Sequence, residues 1–214
     1  MTWDLFEARD PAPLVLAPGA WLRRGRVLAE AESILALVAL VAAEAPFRRM
    51  ETPGGFTMSA AMTSCGRAGW LTDRSGYRYG PLDPLSGRPW PPLPAWLSAL
   101  AAGLAAECGY PGFAPDSCLI NRYEPGARMA PHQDKDERDL TAPIVSLSFG
   151  ISARFLFGGA HRSDPTQKIL LHHGDVVVWG GPSRLFFHGI GAVPKGHHPA
   201  VGAMRLNLTF RKAL

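Results

Sequence analysis

The chain has 214 residues, of which 47% are hydrophobic and 19% charged, so it can bury a sizeable core and is too apolar for a disordered segment. A formal net charge of +4 permits contact with phosphates without demanding it. With 23 glycines and 20 prolines, many turns and short strands are expected rather than a helix bundle.

The opening MTWDLFEARD has acids where a secretory signal needs bases. AEAESILALVALVAAEA (29–45) reads as one buried amphipathic helix. Its apolar run, ILALVALVAA, is flanked by Glu32 and Glu44 and is about half the length of a membrane span, so no membrane partner is expected. The segment 58–94 is rich in Gly, Pro, Arg and aromatics, which suits a loop-and-hairpin region that is either a satellite cluster or a binding surface. A second helix, PAWLSALAAGLAAECG (94–109), is opened by Pro94 and closed by Gly109. Cys65, Cys108 and Cys118 form no C-x-x-C pair, so a reducing cytoplasm is the expected location.

From residue 117 onward short strands are expected at CLINRYE, PIVSLSFG, RFLFGG, KILLHHGDVVVWG, RLFFHGI and RLNLTFR, with the HGDVVVW run entered by a Gly-Asp turn and buried on both faces. The fold class is therefore mainly β with supporting helices, a two-sheet sandwich or jelly roll.

Residues two apart on a strand share a face. In CLINRYE that pairs Asn121 with Tyr123, an amide and a phenol able to hydrogen-bond a carboxylate, or equally a buried polar pair bonded to backbone. In RMAPHQDKDERDL it puts His132, Asp134 and Asp136 on one side. His132 and Asp134 can share a metal, while Asp136 lies about 6–7 Å further along, too far for the same ion. Taken alone, the stretch suits a solvated loop just as well. His188, after the apolar RLFF, supplies a third ligand, and two imidazoles with one carboxylate form the donor set of non-haem Fe(II) oxygenases. A core histidine bonded to a backbone carbonyl is the bland alternative. His172 and His173 are adjacent and face opposite ways, and His197 and His198 sit in a Gly/Pro loop, so these fit less well.

In RLNLTFR, Leu206, Leu208 and Phe210 share one face, and Arg205, Asn207, Thr209 and Arg211 the other. Inward-facing cations need an anionic partner. Two guanidinium groups at opposite ends of a strand can close on the two ends of a small dicarboxylate, unless the strand is an edge with its arginines in solvent.

As a set, NRYEPG, HQDKDE, HGDVVVWGG, RLFFHGI and RLNLTFR follow one another as in the AlkB family of Fe(II)/2-oxoglutarate-dependent dioxygenases. PFRRMETPGGFTMSAAMTSCG, GYRYGPLDP and GYPGFAPDSCLINRY resemble that family too, so the similarity runs from about residue 40 to the C-terminus. The resemblance implies a double-stranded β-helix (a jelly roll) at 94–214 and an N-terminal nucleotide-recognition lid at 46–93. Residues 1–45 form an extension and helix, and the whole is one compact, monomeric unit.

It further implies that His132, Asp134 and His188 hold Fe(II). By the same token Asn121, Tyr123, Arg205, Asn207 and Arg211 contact the cosubstrate 2-oxoglutarate. Trp70, Tyr77 and Asp136 fall on positions that contact a flipped, methylated base, with Arg162 nearby and Thr52, Met62, Arg78 and Tyr79 in the lid region. The implied reaction uses O2 to oxidise the N-methyl carbon of bases such as 1-methyladenine and 3-methylcytosine, in single- or double-stranded DNA or in RNA. Formaldehyde, succinate and CO2 leave.

An aromatic platform suits an extruded base, an acid suits the positive charge that alkylation confers, and Arg67, Arg74 and Arg78 are candidate phosphate contacts. The chain departs from the family at MAPH: Pro131 removes a backbone N–H, and Ala130 drops a side-chain contact. Altered substrate preference or lid mobility is expected there rather than lost chemistry. The alternatives are the same chemistry on RNA, free nucleotides or protein, a non-catalytic binder of damaged DNA, and a zinc hydrolase on the same three ligands.

Overall fold

In the computed structural model, residues 12–214 are described, and the MTWDLFEARD stretch with the expectation placed on it lies outside the described residues. The chain begins with β1 (Leu14–Ala17) and β2 (Ala20–Arg23), then α1 (Ala31–Glu44), β3 (Ala61–Gly66) and a hairpin of β4 (Gly69–Asp73) and β5 (Gly76–Gly80). After α2 (Ala95–Glu107) come β6 (Ser117–Tyr123), β7 (Met129–His132), β8 (Ile144–Gly150) and β9 (Ala153–Phe157). β10 (Gln167–Leu171), β11 (Val176–Trp179), β12 (His188–Ile190) and β13 (Arg205–Arg211) complete it. Among the described residues no helix is long and apolar enough to cross a membrane.

Two sheets face each other. The larger has the order β1-β2-β11-β8-β13-β6-β3 and the smaller β10-β9-β12-β7, all antiparallel, which is the double-stranded β-helix. β3, from the 46–93 segment, is hydrogen-bonded into the same sheet as β6. β1 and β2, in a segment not read as strand, extend its other edge.

Strand alternation divides β13 between two environments. Leu206, Leu208 and Phe210 pack with Ile34, Val38, Leu97 and Leu104 of the helices, and each such side chain contributes about 1.5–3 kcal/mol by leaving water. The polar side chains of β13 are buried on the opposite face, Arg205 completely. β13 runs between β8 and β6, so the solvent-facing edge-strand alternative falls.

The helices are held where the sequence places their ends. Pro94, with φ −62° and extended ψ, caps α2 without needing the N–H it lacks, and Gly109 at φ 85° reverses the chain after it.

Two strand readings are corrected. KILLHHGDVVVWG is not one strand: β10 and β11 lie in different sheets, divided by a turn with Gly174 at φ 82°. Asp175 closes that turn by accepting from the N–H of His172 at 2.9 Å. In RLFFHGI only His188–Ile190 is strand, because Arg184 to Phe187 continue out of the 3-10 turn Gly181–Ser183.

Candidate metal and cosubstrate site

His132 ends β7 and His188 begins β12, and the two strands pair with these residues directly opposite one another. Facing positions share a side of the sheet, and the ring centroids lie 4.5 Å apart. Next to Gly189 the register slips, so that Ala130 and Pro131 together oppose one residue: a β-bulge. Pro131 therefore falls where the ladder is already interrupted, and its carbonyl accepts from Arg162 at 2.9 Å.

Both imidazoles have fixed tautomers. His132 Nδ1 lies 3.0 Å from the carbonyl of Ala130, and His188 Nδ1 lies 3.1 Å from that of Phe186. A carbonyl only accepts, so each Nδ1 carries a hydrogen, and in the neutral imidazole each Nε2 is the atom with the lone pair. Those lone pairs converge on Asp134, whose Oδ1 is 3.5 Å from His132 Nε2 and whose Oδ2 is 3.6 Å from His188 Nε2. The candidate ligand atoms all lie within 4.8 Å of one another. Burial pushes the Asp134 carboxyl up, but Arg211 and the two imidazoles outweigh it and hold it well below the usual carboxylate range. Burial pushes His188 down, toward the neutral form that binds metals, whereas at His132 Asp134 overcomes burial and the net shift is upward.

Behind this triad, β6 and β13 align their polar faces, with Asn121 opposite Asn207 and Tyr123 opposite Arg205. Arg205 donates to Ser148 Oγ at 2.7 Å, and no carboxylate lies within 4 Å of its guanidinium among the described residues. Burial drags it down to about 10. Arg211 donates twice to Asp134 Oδ2, at 2.6 and 3.0 Å. Its remaining nitrogen, Arg205 Nε and the Asn121 carbonyl oxygen are buried with no hydrogen-bond partner among the described residues. Orphaned buried donors on two cations fit a bound dianion, and a His/Asp/His set on one side of a cavity fits a divalent iron with open positions.

The cavity in front measures about 780 Å3, and Asn121, Tyr123, Asn207, Arg211 and the triad line it together with Thr52, Met62, Trp70, Tyr77, Asp136 and Arg162. Trp70 and Tyr77 face each other across the β4–β5 hairpin, stacked at 5.6 Å with 19° between planes. Gly69 lets this hairpin lie on Trp90, because any side chain there would meet the indole at 2.4 Å. Met62 is fully buried, under Trp70.

Arg205, Arg78 and Tyr79 stand apart from the lining. Arg205 lies behind the wall, Arg78 pairs with Asp73 in solvent, and the Tyr79 hydroxyl donates to Glu137 at 2.8 Å. Arg74 is likewise exposed and paired with Glu51.

Sequence reasoning missed Glu137 and Arg184. Glu137 lies in the stretch that taken alone suits a solvated loop, yet it is buried and bonded to Tyr79, Arg184 and Arg211. Arg184 is buried too, four residues before His188. The available signal was a charged residue at the head of the apolar run LFF.

A jelly roll that gathers two histidines, one aspartate and two buried arginines inside one barrel defines the class of iron- and 2-oxoglutarate-dependent oxygenases. The sequence model of the 2OG-Fe(II) oxygenase superfamily matches residues 23–211. The chain is 55% identical to the alpha-ketoglutarate-dependent dioxygenase AlkB of Salmonella typhimurium, over 98% of this chain and 97% of that protein. It is 53% identical to AlkB of Escherichia coli, with the same coverage. The solved structure of OsALKBH1 superposes with a TM-score of 0.81 at 27% identity, covering 94% of this chain and all of that one. The chain belongs to the AlkB family and is a 2-oxoglutarate-dependent dioxygenase.

Proposed function

We propose that this dioxygenase removes alkyl groups from N-alkylated bases of DNA, such as 1-methyladenine and 3-methylcytosine. In this reading His132, Asp134 and His188 hold Fe(II), and residues 46–93 form a nucleotide-recognition lid. The observation that carries it is the pairing of two features in one cavity: a His/Asp/His set backed by orphaned guanidinium donors, and the Trp70–Tyr77 stack beside Asp136.

When bound, iron with 2-oxoglutarate supplies the oxidation of the N-alkyl carbon by O2. The protein's own residues bind, orient and exclude. Arg205 and Arg211 take the two carboxylates of the cosubstrate, and Asn121, Tyr123 and Asn207 fix its orientation between β6 and β13. Asn207 is itself locked, donating to Ser146 Oγ at 2.8 Å and accepting from Thr209 at 2.9 Å. Trp70 and Tyr77 offer an aromatic face to an extruded base. Asp136, whose Oδ2 accepts from Trp70 Nε1 at 2.9 Å, keeps its other oxygen for the cationic edge of that base. Arg162 is carried on the Pro131 carbonyl and over the Phe187 ring at 4.9 Å, at the rim where a phosphate of the damaged strand passes.

The test is turnover of a methylated single-stranded DNA oligomer with Fe(II), 2-oxoglutarate and O2, read as formaldehyde released and base restored. No turnover with iron confirmed bound overturns the reading. Faster turnover of the matched RNA or the free nucleotide moves the substrate and keeps the chemistry.

A further inference from the structure

Asp134 sits just outside β7, on the irregular segment between β7 and β8, where no strand ladder fixes its backbone. Something else must hold its carboxylate in place, and the same buried guanidinium reaches three points along that segment. Arg184 donates through NH1 to the Asp134 carbonyl at 2.7 Å and through Nε to the Ala142 carbonyl at 2.9 Å. Its NH2 donates to Glu137 Oε2 at 3.1 Å. Beginning, middle and end of the segment are tied to one planar fork, a geometry that an ammonium cannot reproduce.

Arg184 also belongs to the other ligand-bearing segment. It follows the Gly181–Ser183 turn, and two residues on, the Phe186 carbonyl orients His188. Glu137 carries the connection onward, with Oε1 3.2 Å from Arg211 Nε and 2.8 Å from the Tyr79 hydroxyl on β5. Arg184, Glu137, Asp134 and Arg211 carry two charges of each sign. The set is therefore neutral as it stands, and it stays neutral when a dication and a dianion are added together.

We infer that Arg184, with Glu137 as its partner, is a positioning residue that sets the Asp134 carboxylate for metal binding and the Arg211 guanidinium for the cosubstrate. Neither residue lines the cavity or touches a reacting atom. The inference rests on the assignment of His132, Asp134 and His188 to the metal.

The experiment titrates the full-length protein with Co(II), without cosubstrate, and follows the metal's visible absorption alongside thermal melting. The parent protein binds one Co(II) per chain and His132→Ala does not. Arg184→Lys, which keeps the charge and loses the fork, weakens Co(II) binding roughly 10–100-fold. A merely structural Arg184 lowers the melting temperature of Arg184→Lys and leaves Co(II) affinity of the folded protein within about twofold, which overturns the inference.

If Arg184→Lys does not fold, Glu137→Gln carries the test. In the Co(II)-loaded protein it weakens 2-oxoglutarate binding about tenfold, because Arg211 loses one of its two anchoring carboxylates. Unchanged 2-oxoglutarate affinity overturns the inference. A parent that binds no Co(II), or a His132→Ala protein that still does, brings down the metal-site assignment and this inference with it.

Discussion

The indole of Trp70 donates to Asp136 at 2.9 Å, so the aromatic face of the cavity and its half-buried acid are fixed relative to one another. The bond joins the β4–β5 hairpin to the segment that follows β7, and it leaves one carboxylate oxygen free. Asp136→Asn preserves an acceptor for the indole while removing the charge. Turnover of a cationic lesion such as 1-methyladenine is expected to fall roughly 10–100-fold, since hydrogen bonds to charged groups are worth roughly 1.5–3 kcal/mol. A neutral methylated base is expected to lose far less. Equal losses in kcat/KM on the two substrates sink the charge argument.

Arg205 is a cation held in the core on one hydroxyl bond and one long carbonyl contact, at 2.7 and 3.5 Å. Such a group is destabilising until an anion reaches it. Saturating 2-oxoglutarate at a hundred times its Kd stabilises the protein by about 2.7 kcal/mol. For a chain of this size that raises Tm by roughly 5–10 °C. Arg205→Met is expected to match or exceed the parent in Tm without ligand and to lose the rise with it. A full ligand-induced rise in Arg205→Met removes Arg205 from the cosubstrate site.

Much of this site was legible because strand periodicity is a strong constraint. RLNLTFR splits into an apolar and a polar face, and HQD places its first and third residues on one side, before any fold is known. His188 opposite His132 was not legible from spacing, because pairing across 56 positions depends on sheet order. Glu137 was hidden for a different reason. In a run of alternating charges nothing local distinguishes a solvated acid from one whose partners, Arg184 and Tyr79, lie 47 and 58 positions away. In KILLHHGDVVVWG the Gly-Asp turn and the buried VVVW strand were legible, but not that Gly174 and Asp175 send the chain from one sheet to the other, because sheet membership depends on distant pairing.

On the proposed assignment of His132 to the metal, its proton and the metal compete for Nε2. Burial lowers its affinity for the proton, but Asp134 outweighs burial and the net shift is upward from the ordinary value near 6.5. Without metal, the raised value means that this pair stabilises the protein fully below about pH 6.5 and loses the contribution as the pH rises through the folded pKa. With metal the sign reverses, since the Nε2 lone pair is needed. Divalent-metal affinity is expected to fall about tenfold per pH unit below the folded pKa. Calorimetry in two buffers of different ionisation enthalpy reads the proton directly: about one released per metal at pH 6 and none at pH 9. Release independent of pH removes His132 from the ligand set.

Pro131 and Gly189 face each other across the bulge, and they differ sharply in how much change the structure tolerates. A Cβ on Gly189 meets the Met129 carbonyl at 2.5 Å and the backbone of Ala130 and Pro131 at 3.0 Å. These are backbone atoms of the strand that carries His132, and no side-chain rotation relieves the clash. Gly189→Ala must push β7 and β12 apart at the point where the two imidazoles meet. The expected cost is about 1–3 kcal/mol of stability, with metal affinity reduced more steeply than stability because ligand geometry fails first. Pro131 has no such constraint, since its missing N–H falls inside an interruption of the ladder and its carbonyl, which serves Arg162, is retained by any residue. Pro131→Leu is expected to change stability by no more than about 0.5 kcal/mol and to leave metal affinity unchanged. Urea titration of both variants, paired with Co(II) titration, checks the contrast. Two variants that behave alike show that the bulge does not hold the two histidines in register.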